Sequence, residues 1–116
     1  KAEALAAQFA PLGPIEAISP ETLRGHRFDL VVNSTSVGVA SDTHDWPTSV
    51  FAPDAFAYDL VYADQPTQFV RWAAQHGAAR TADGLGMLIE QAAESFFLWR
   101  GVRPHTAPVF ALLRPR

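Results

Sequence analysis

Apolar positions recur at helical spacing from the start of the chain, where Ala2, Leu5 and Phe9 share one face. Pro11 and the Gly13-Pro14 pair break that pattern, and residues 15–18 predict a short strand. Ser19-Pro20-Glu21 then predicts a short helix, with Ser19 as N-cap and Pro20 at the first helical position, where its missing N–H costs nothing. Residues 28–32, Phe-Asp-Leu-Val-Val, are the clearest strand. This run is too continuously apolar for a sheet with one wet face, so it predicts a buried parallel strand. Residues 56–62 predict a second strand. A helix from about Pro66 to His76 follows, with Phe69, Trp72 and Ala73 facing inward and Gly77 as a left-handed terminator. Residues 78–82 predict a third strand. The turn Asp83-Gly84-Leu85-Gly86 leads into the longest helix, roughly 87–100, closed by Gly101, with an apolar face of Leu85, Leu88, Ile89, Ala92, Phe96 and Trp99. Thr106 caps a last short helix through Leu113.

Strands alternating with helices at this spacing argue for βαβ units, right-handed crossovers and a parallel sheet, an α/β fold. With 48% hydrophobic residues in 116, the composition is that of a globular domain rather than a disordered segment. No apolar run reaches the ~20 residues of a membrane span and no secretory leader is evident, so the expected location is cytoplasmic. The absence of cysteine excludes a disulfide framework, a thiolate zinc site and a cysteine nucleophile. All twelve acidic residues precede residue 98, and four of the nine basic residues, Arg100, Arg103, Arg114 and Arg116, follow it. Those arginines lie among prolines and leucines without a stacking platform, which reads as a solvated face rather than a nucleic-acid surface. Because the chain begins at Lys1 inside a helical pattern, it is expected to be a piece of a longer protein.

In an open parallel sheet, ligands bind at the carboxyl ends of the strands. Those ends carry Asn33-Ser34-Thr35-Ser36, Tyr62-Ala63-Asp64-Gln65 and Asp83-Gly84-Leu85-Gly86, three small polar or glycine-containing loops on one rim. The same residue types also serve as turn formers and helix caps, so spacing alone leaves both roles open. Ser34 and Ser36 sit in no Gly-x-Ser-x-Gly elbow, which favours hydrogen bonding over nucleophilic attack. His26, His44, His76 and His105 form no His-x-x-x-His pair, and Asp42-Thr43-His44-Asp45 reads as a polar loop, so no metal site is expected. Gln91 lies one helical turn after Met87, where a buried amide would need partners and an exposed one would not.

Together, Tyr58-Asp59-Leu60-Val61-Tyr62, Thr67-Gln68-Phe69 with Trp72, and Ala82-Asp83-Gly84-Leu85-Gly86-Met87-Leu88 with Gln91-Ala92-Ala93 resemble shikimate dehydrogenases in order and spacing. Asp29 to Gly38 resembles that family's strand and Asn-x-Thr loop, and Trp99-Arg100-Gly101-Val102 with Pro104 and Pro108-Val109 resembles its ending. The resemblance extends over essentially the whole chain, as a carboxyl-terminal portion. It implies residues 1–83 as part of a Rossmann-like NADP-binding domain and residues 84–116 as helices that return to pack on a substrate domain. The implied reaction is the reversible NADPH-dependent reduction of 3-dehydroshikimate to shikimate, in the aromatic amino acid pathway.

Carried over residue by residue, the resemblance implies that Asn33, Thr35, Ser36, Leu60, Gly84 and Met87 lie near the nicotinamide and its ribose. Leu60 departs from the methionine often found there and keeps an apolar side chain. Tyr62 and Gln91 are implied substrate contacts. Lys1 is implied to pair with the 2′-phosphate, which would favour NADP over NAD. The glycine-rich loop, the clamp arginine and the catalytic lysine and aspartate are expected upstream of Lys1, so the chain alone is expected to be inactive. Its expected partners are shikimate or 3-dehydroshikimate and the amino-terminal part of the same protein, with a second copy left open. The alternatives are an NAD-dependent quinate/shikimate dehydrogenase, a non-catalytic relative binding a shikimate-like ligand or dinucleotide, and a pure interaction module. Joint retention of Tyr62, Gly84, Met87 and Gln91 argues against the last.

Overall fold

A computed structural model describes residues 1–35 and 46–114. The element order is α1 (Ala2–Phe9), a 3₁₀ turn (Ala10–Leu12), β1 (Phe28–Asn33), β2 (Phe51–Asp59), α2 (Gln68–Gln75), β3 (Arg80–Ala82), α3 (Leu85–Arg100) and α4 (Ala107–Leu113). The three strands form a wholly parallel sheet in the order β1-β2-β3. The α/β reading of the sequence therefore holds.

Two expected elements did not form. Residues 15–18 are not a strand, and an extended segment becomes one only by pairing with a neighbour. The Ser19-Pro20 helix is reduced to a turn in which Thr22 and Leu23 donate their N–H groups to the Ser19 carbonyl. Ser19 still caps it, its hydroxyl oxygen accepting from Thr22 N–H at 3.4 Å.

Strand β1 is parallel as expected, but it is an edge strand and not a buried one: Leu30 and Val32 are 56% and 47% exposed. Strand β2 starts and ends earlier than its apolar run suggested. Its pairing with β1 slips between Phe28↔Phe51 and Leu30↔Phe56, leaving extra residues on β2. Pro53 cannot donate to the ladder and Asp54 takes a left-handed φ of 64°, which together make the bulge.

The core lies between the sheet and α2. Val50, Phe51, Ala55 and Ala57 pack there with Phe69 and Ala73, and Phe28, Val31, Trp46, Trp72 and Ala78 close its margin. Helix α2 is set by its ends: Thr67 Oγ1 accepts from Val70 N–H at 3.2 Å, and Gly77 follows with φ 102°. Helix α3 ends on Gly101 at φ 71°, whose N–H reaches the Phe97 carbonyl at 2.7 Å.

The buried stripe of α3 is Leu85, Ile89 and Ala93, strictly i, i+4, rather than the broader face expected from the pattern. Leu88, Phe96 and Trp99 are exposed, Trp99 at 80%. Helix α4 packs on α3, with the Phe110 ring over Gly86. Among the described residues, no helix is long and apolar enough to cross a membrane. The radius of gyration is 16.8 Å, against about 13 Å for a compact domain of this length. Among the described residues, considerable apolar surface on α3 and α4 is left uncovered.

Candidate functional site

The carboxyl ends of the three strands share one rim, and β2 organises it. Period-two alternation puts Ala55, Ala57 and Asp59 on the face that packs against α2. Asp59 closes the strand where α2 begins, and it is only 2% exposed. Its Oδ1 accepts from Asn33 Nδ2 at 3.0 Å and from Val61 N–H at 3.1 Å. Its Oδ2 accepts from Thr67 Oγ1, the α2 cap, at 2.5 Å. The buried carboxylate is therefore satisfied by three donors from three segments, as a buried charge must be.

Asn33, 5% exposed at the end of β1, passes the network outward. Its Oδ1 accepts from Thr35 N–H at 3.2 Å and from Thr35 Oγ1 at 2.7 Å, which folds residues 33–35 into a local turn. Its carbonyl accepts from Leu60 N–H at 3.0 Å, stitching the first post-β2 residue to β1. Ser36 lies outside the described residues, as do Val37, Gly38 and the Asp42-Thr43-His44-Asp45 stretch.

Gly84 is buried between β3 and α3, and its N–H reaches the Val61 carbonyl at 3.1 Å. A Cβ there would lie 2.2 Å from the Leu60 carbonyl oxygen. The turn after β3 thus presses backbone to backbone on the segment after β2. Asp83 Oδ1 accepts from Leu85 N–H at 3.2 Å, and Asp83 Oδ2 takes an ion pair from Arg114 at the end of α4.

Asn33, Thr35, Leu60 and Gly84 are thereby joined by a continuous series of contacts. Leu60 is partly open there, 37% exposed, and Met87, in the first turn of α3 after Gly84, is 46% exposed. Tyr62, just past β2, is 52% exposed, and Gln91 is exposed on α3 with its Nε2 bonded to the Leu88 carbonyl of its own helix at 2.8 Å. Lys1 is exposed at the start of α1, whose side chains are all unburied, and its carbonyl accepts from Leu5 N–H within that helix rather than from the rim. The sequence reading assigns no site role to Asp59 or Thr67, and it names Asp83 only within a rim loop. The usable signal was a carboxylate in step with Ala55 and Ala57, a polar group where the alternation demands burial.

The description Shikimate 5'-dehydrogenase C-terminal domain matches residues 84–112. A protein named Shikimate dehydrogenase (NADP(+)) from Alkalilimnicola ehrlichii is 56% identical over 115 residues, covering 99% of this chain and 42% of that protein. The chain matches the carboxyl-terminal portion of shikimate dehydrogenases. It spans about two-fifths of the length of the curated relatives it matches. Among solved structures, an Ael1 enzyme from Pseudomonas putida superimposes with a TM-score of 0.79 at 44% identity, over 99% of this chain and 43% of that one. Shikimate 5-dehydrogenase from Thermus thermophilus, solved with shikimate, gives 0.70 at 34% identity, over 96% and 39%. The resemblance read from the Asp83-to-Gln91 run and the Asn33 loop therefore holds across the chain.

Proposed function

We propose that the full-length protein carrying this chain is an NADP-dependent shikimate dehydrogenase, and that the chain supplies the nicotinamide end of its cofactor site. The observation that carries this is the rim itself, a polar Asn33–Thr35 turn bonded to partly open Leu60 at the carboxyl ends of parallel strands. The residues present fit a nicotinamide. Apolar side chains suit a flat ring, the polar turn suits its carboxamide or ribose, and Gly84 keeps the backbone low where the segments meet. When bound, NADP supplies the acceptor for hydride leaving shikimate. The names of the curated relatives support both cofactor and reaction.

In this reading Asn33, Thr35, Ser36, Leu60, Gly84 and Met87 hold and orient the nicotinamide half, and Lys1 faces the 2′-phosphate. Tyr62 and Gln91 contact the substrate across the cleft, Gln91 after turning its amide away from Leu88. Proton transfer belongs to groups outside these residues, so the chain alone has no activity. Residues 1–83 are part of the dinucleotide-binding domain and residues 84–116 pack on the substrate domain. The match to residues 84–112 and the exposed apolar side chains of α3 and α4 support that division. A cytoplasmic location accords with a pathway built on a soluble dinucleotide.

Steady-state turnover of the full-length protein tests the reading, with shikimate or quinate against NADP or NAD. Reduction of NADP by shikimate, exceeding the other three combinations, is the expected result. Preference for NAD and quinate would replace it with the quinate variant, and dinucleotide binding without turnover would replace it with a non-catalytic relative.

A further inference from the structure

We infer that Asp59 is the positioning residue that fixes which way the Asn33 amide faces, and through it the donors and acceptors that the rim turn offers a bound dinucleotide. The inference rests on the nicotinamide reading of the rim.

A carboxylate has acceptors only, so the group that meets it must be a donor. Asp59 Oδ1 lies 3.0 Å from Asn33 Nδ2, which requires the NH₂ end of the amide on that side and leaves the Asn33 side-chain oxygen toward Thr35. There it receives both the Thr35 N–H and the Thr35 hydroxyl proton. A flipped amide would set two acceptors against each other at Asp59 and the amide NH₂ against the Thr35 N–H, the first pair between side chains nearly closed to water. Asp59 is itself held in place by Val61 N–H and by the hydroxyl of Thr67, so its own orientation is set from the α2 side. The direction of the Thr35 hydroxyl is thus decided by a residue with almost no exposed surface to touch a ligand. Asp59 acts on the rim turn through Asn33 and Thr35, while its bond from Val61 N–H ties it to the segment that carries Leu60 and Tyr62.

The test uses the full-length protein with Asp59→Leu, which removes the acceptors while keeping a side chain branched at Cγ, and Asp59→Asn, which keeps a carbonyl oxygen for Asn33 and Val61. Asp59→Leu is expected to raise the KM for NADP about tenfold, the scale of one lost hydrogen bond to a charged group, with the KM for shikimate unchanged. Asp59→Asn is expected to recover most of that loss. A uniform fall in kcat and Tm with both KM values constant, or no rescue by asparagine, would overturn the inference.

Should Asp59→Leu fail to fold, Asn33→Asp sets a second carboxylate against the first. With the Asn33 donor replaced by an acceptor, the turn loses its fixed orientation, so NADP affinity should fall below that of the wild type. Wild-type NADP affinity in that variant would count against Asp59. If the wild type turns over neither dinucleotide, the nicotinamide reading fails separately. Hydrogen exchange at the Thr35 amide then decides this inference, faster in Asp59→Leu and restored in Asp59→Asn if it holds, equal in all three if it does not.

Discussion

Substituting Gly84 by alanine tests the packing on which the rim depends. Gly84 has φ −72° and ψ −4°, a conformation any residue adopts, so glycine is required there for space alone. The added Cβ would meet the Leu60 carbonyl oxygen at 2.2 Å, its carbon at 2.8 Å and the Asp59 carbonyl oxygen at 3.4 Å. All three are backbone atoms, which no change of rotamer can move. Restoring ordinary contact requires a shift of about 1 Å between the two segments, and three hydrogen bonds resist it. Leu60 N–H is held by Asn33 O, Gly84 N–H by Val61 O and Gly84 O by Leu88 N–H, at 3.0, 3.1 and 3.0 Å. Overpacking costs about 1–3 kcal/mol, and losing one such bond adds about 1 kcal/mol, so the expected destabilisation is about 2–4 kcal/mol. The control is two residues on. A Cβ on Gly86 lies 3.9 Å from two carbons of the Phe110 ring, an ordinary contact, and alanine there favours the helix by up to about 1 kcal/mol. Urea denaturation of the full-length protein, followed by circular dichroism, reads both. Gly84→Ala within about 0.5 kcal/mol of wild type, or a loss at Gly86 equal to that at Gly84, would refute the reasoning.

Three further substitutions separate the contributions of the surrounding elements. Thr67→Val removes the α2 cap and leaves Asp59 Oδ2 without its donor, so a loss of about 1.5–3 kcal/mol is expected in the same assay; Thr67→Ser keeps both bonds and should restore most of it. Gly101→Ala forces a Cβ into the left-handed region at φ 71° and should lower stability by about 1 kcal/mol, seen as a lower urea midpoint with an unchanged m value. Arg103→Ala removes ion pairs to Glu90 and Glu94, both of whose carboxylates are about half exposed. It should cost less than about 1 kcal/mol, and less still at high salt in paired melts.

Legibility in the sequence followed how local each signal was. Strand β1 announced itself because Leu30, Val31 and Val32 form a run with no other good reading, and α2 because Thr67 and Gly77 mark its ends. Residues 15–18 carried the same composition signal without a partner to pair with, and pairing is not written in a segment's own residues. Strand β2 was misplaced at both ends, since Pro53 and Asp54 interrupt the pattern at its bulge while the apolar run continues past Asp59. Helix α3 is apolar on more than one side, and no periodicity says which of Ile89 or Trp99 this chain covers. At the site, the sequence resemblance pointed to Asn33, Thr35, Leu60 and Gly84, and the structure brings these residues together. The group connecting them, Asp59, reads as an ordinary polar strand end until α2 folds over it.

The most direct test of the nicotinamide assignment is a crystal structure of the full-length protein with NADP. The ring is expected against Leu60 and Met87, with its carboxamide or ribose within hydrogen-bond distance of the Asn33–Thr35 turn. A ring seated elsewhere, with Leu60 and Met87 covered instead by protein, would contradict the assignment.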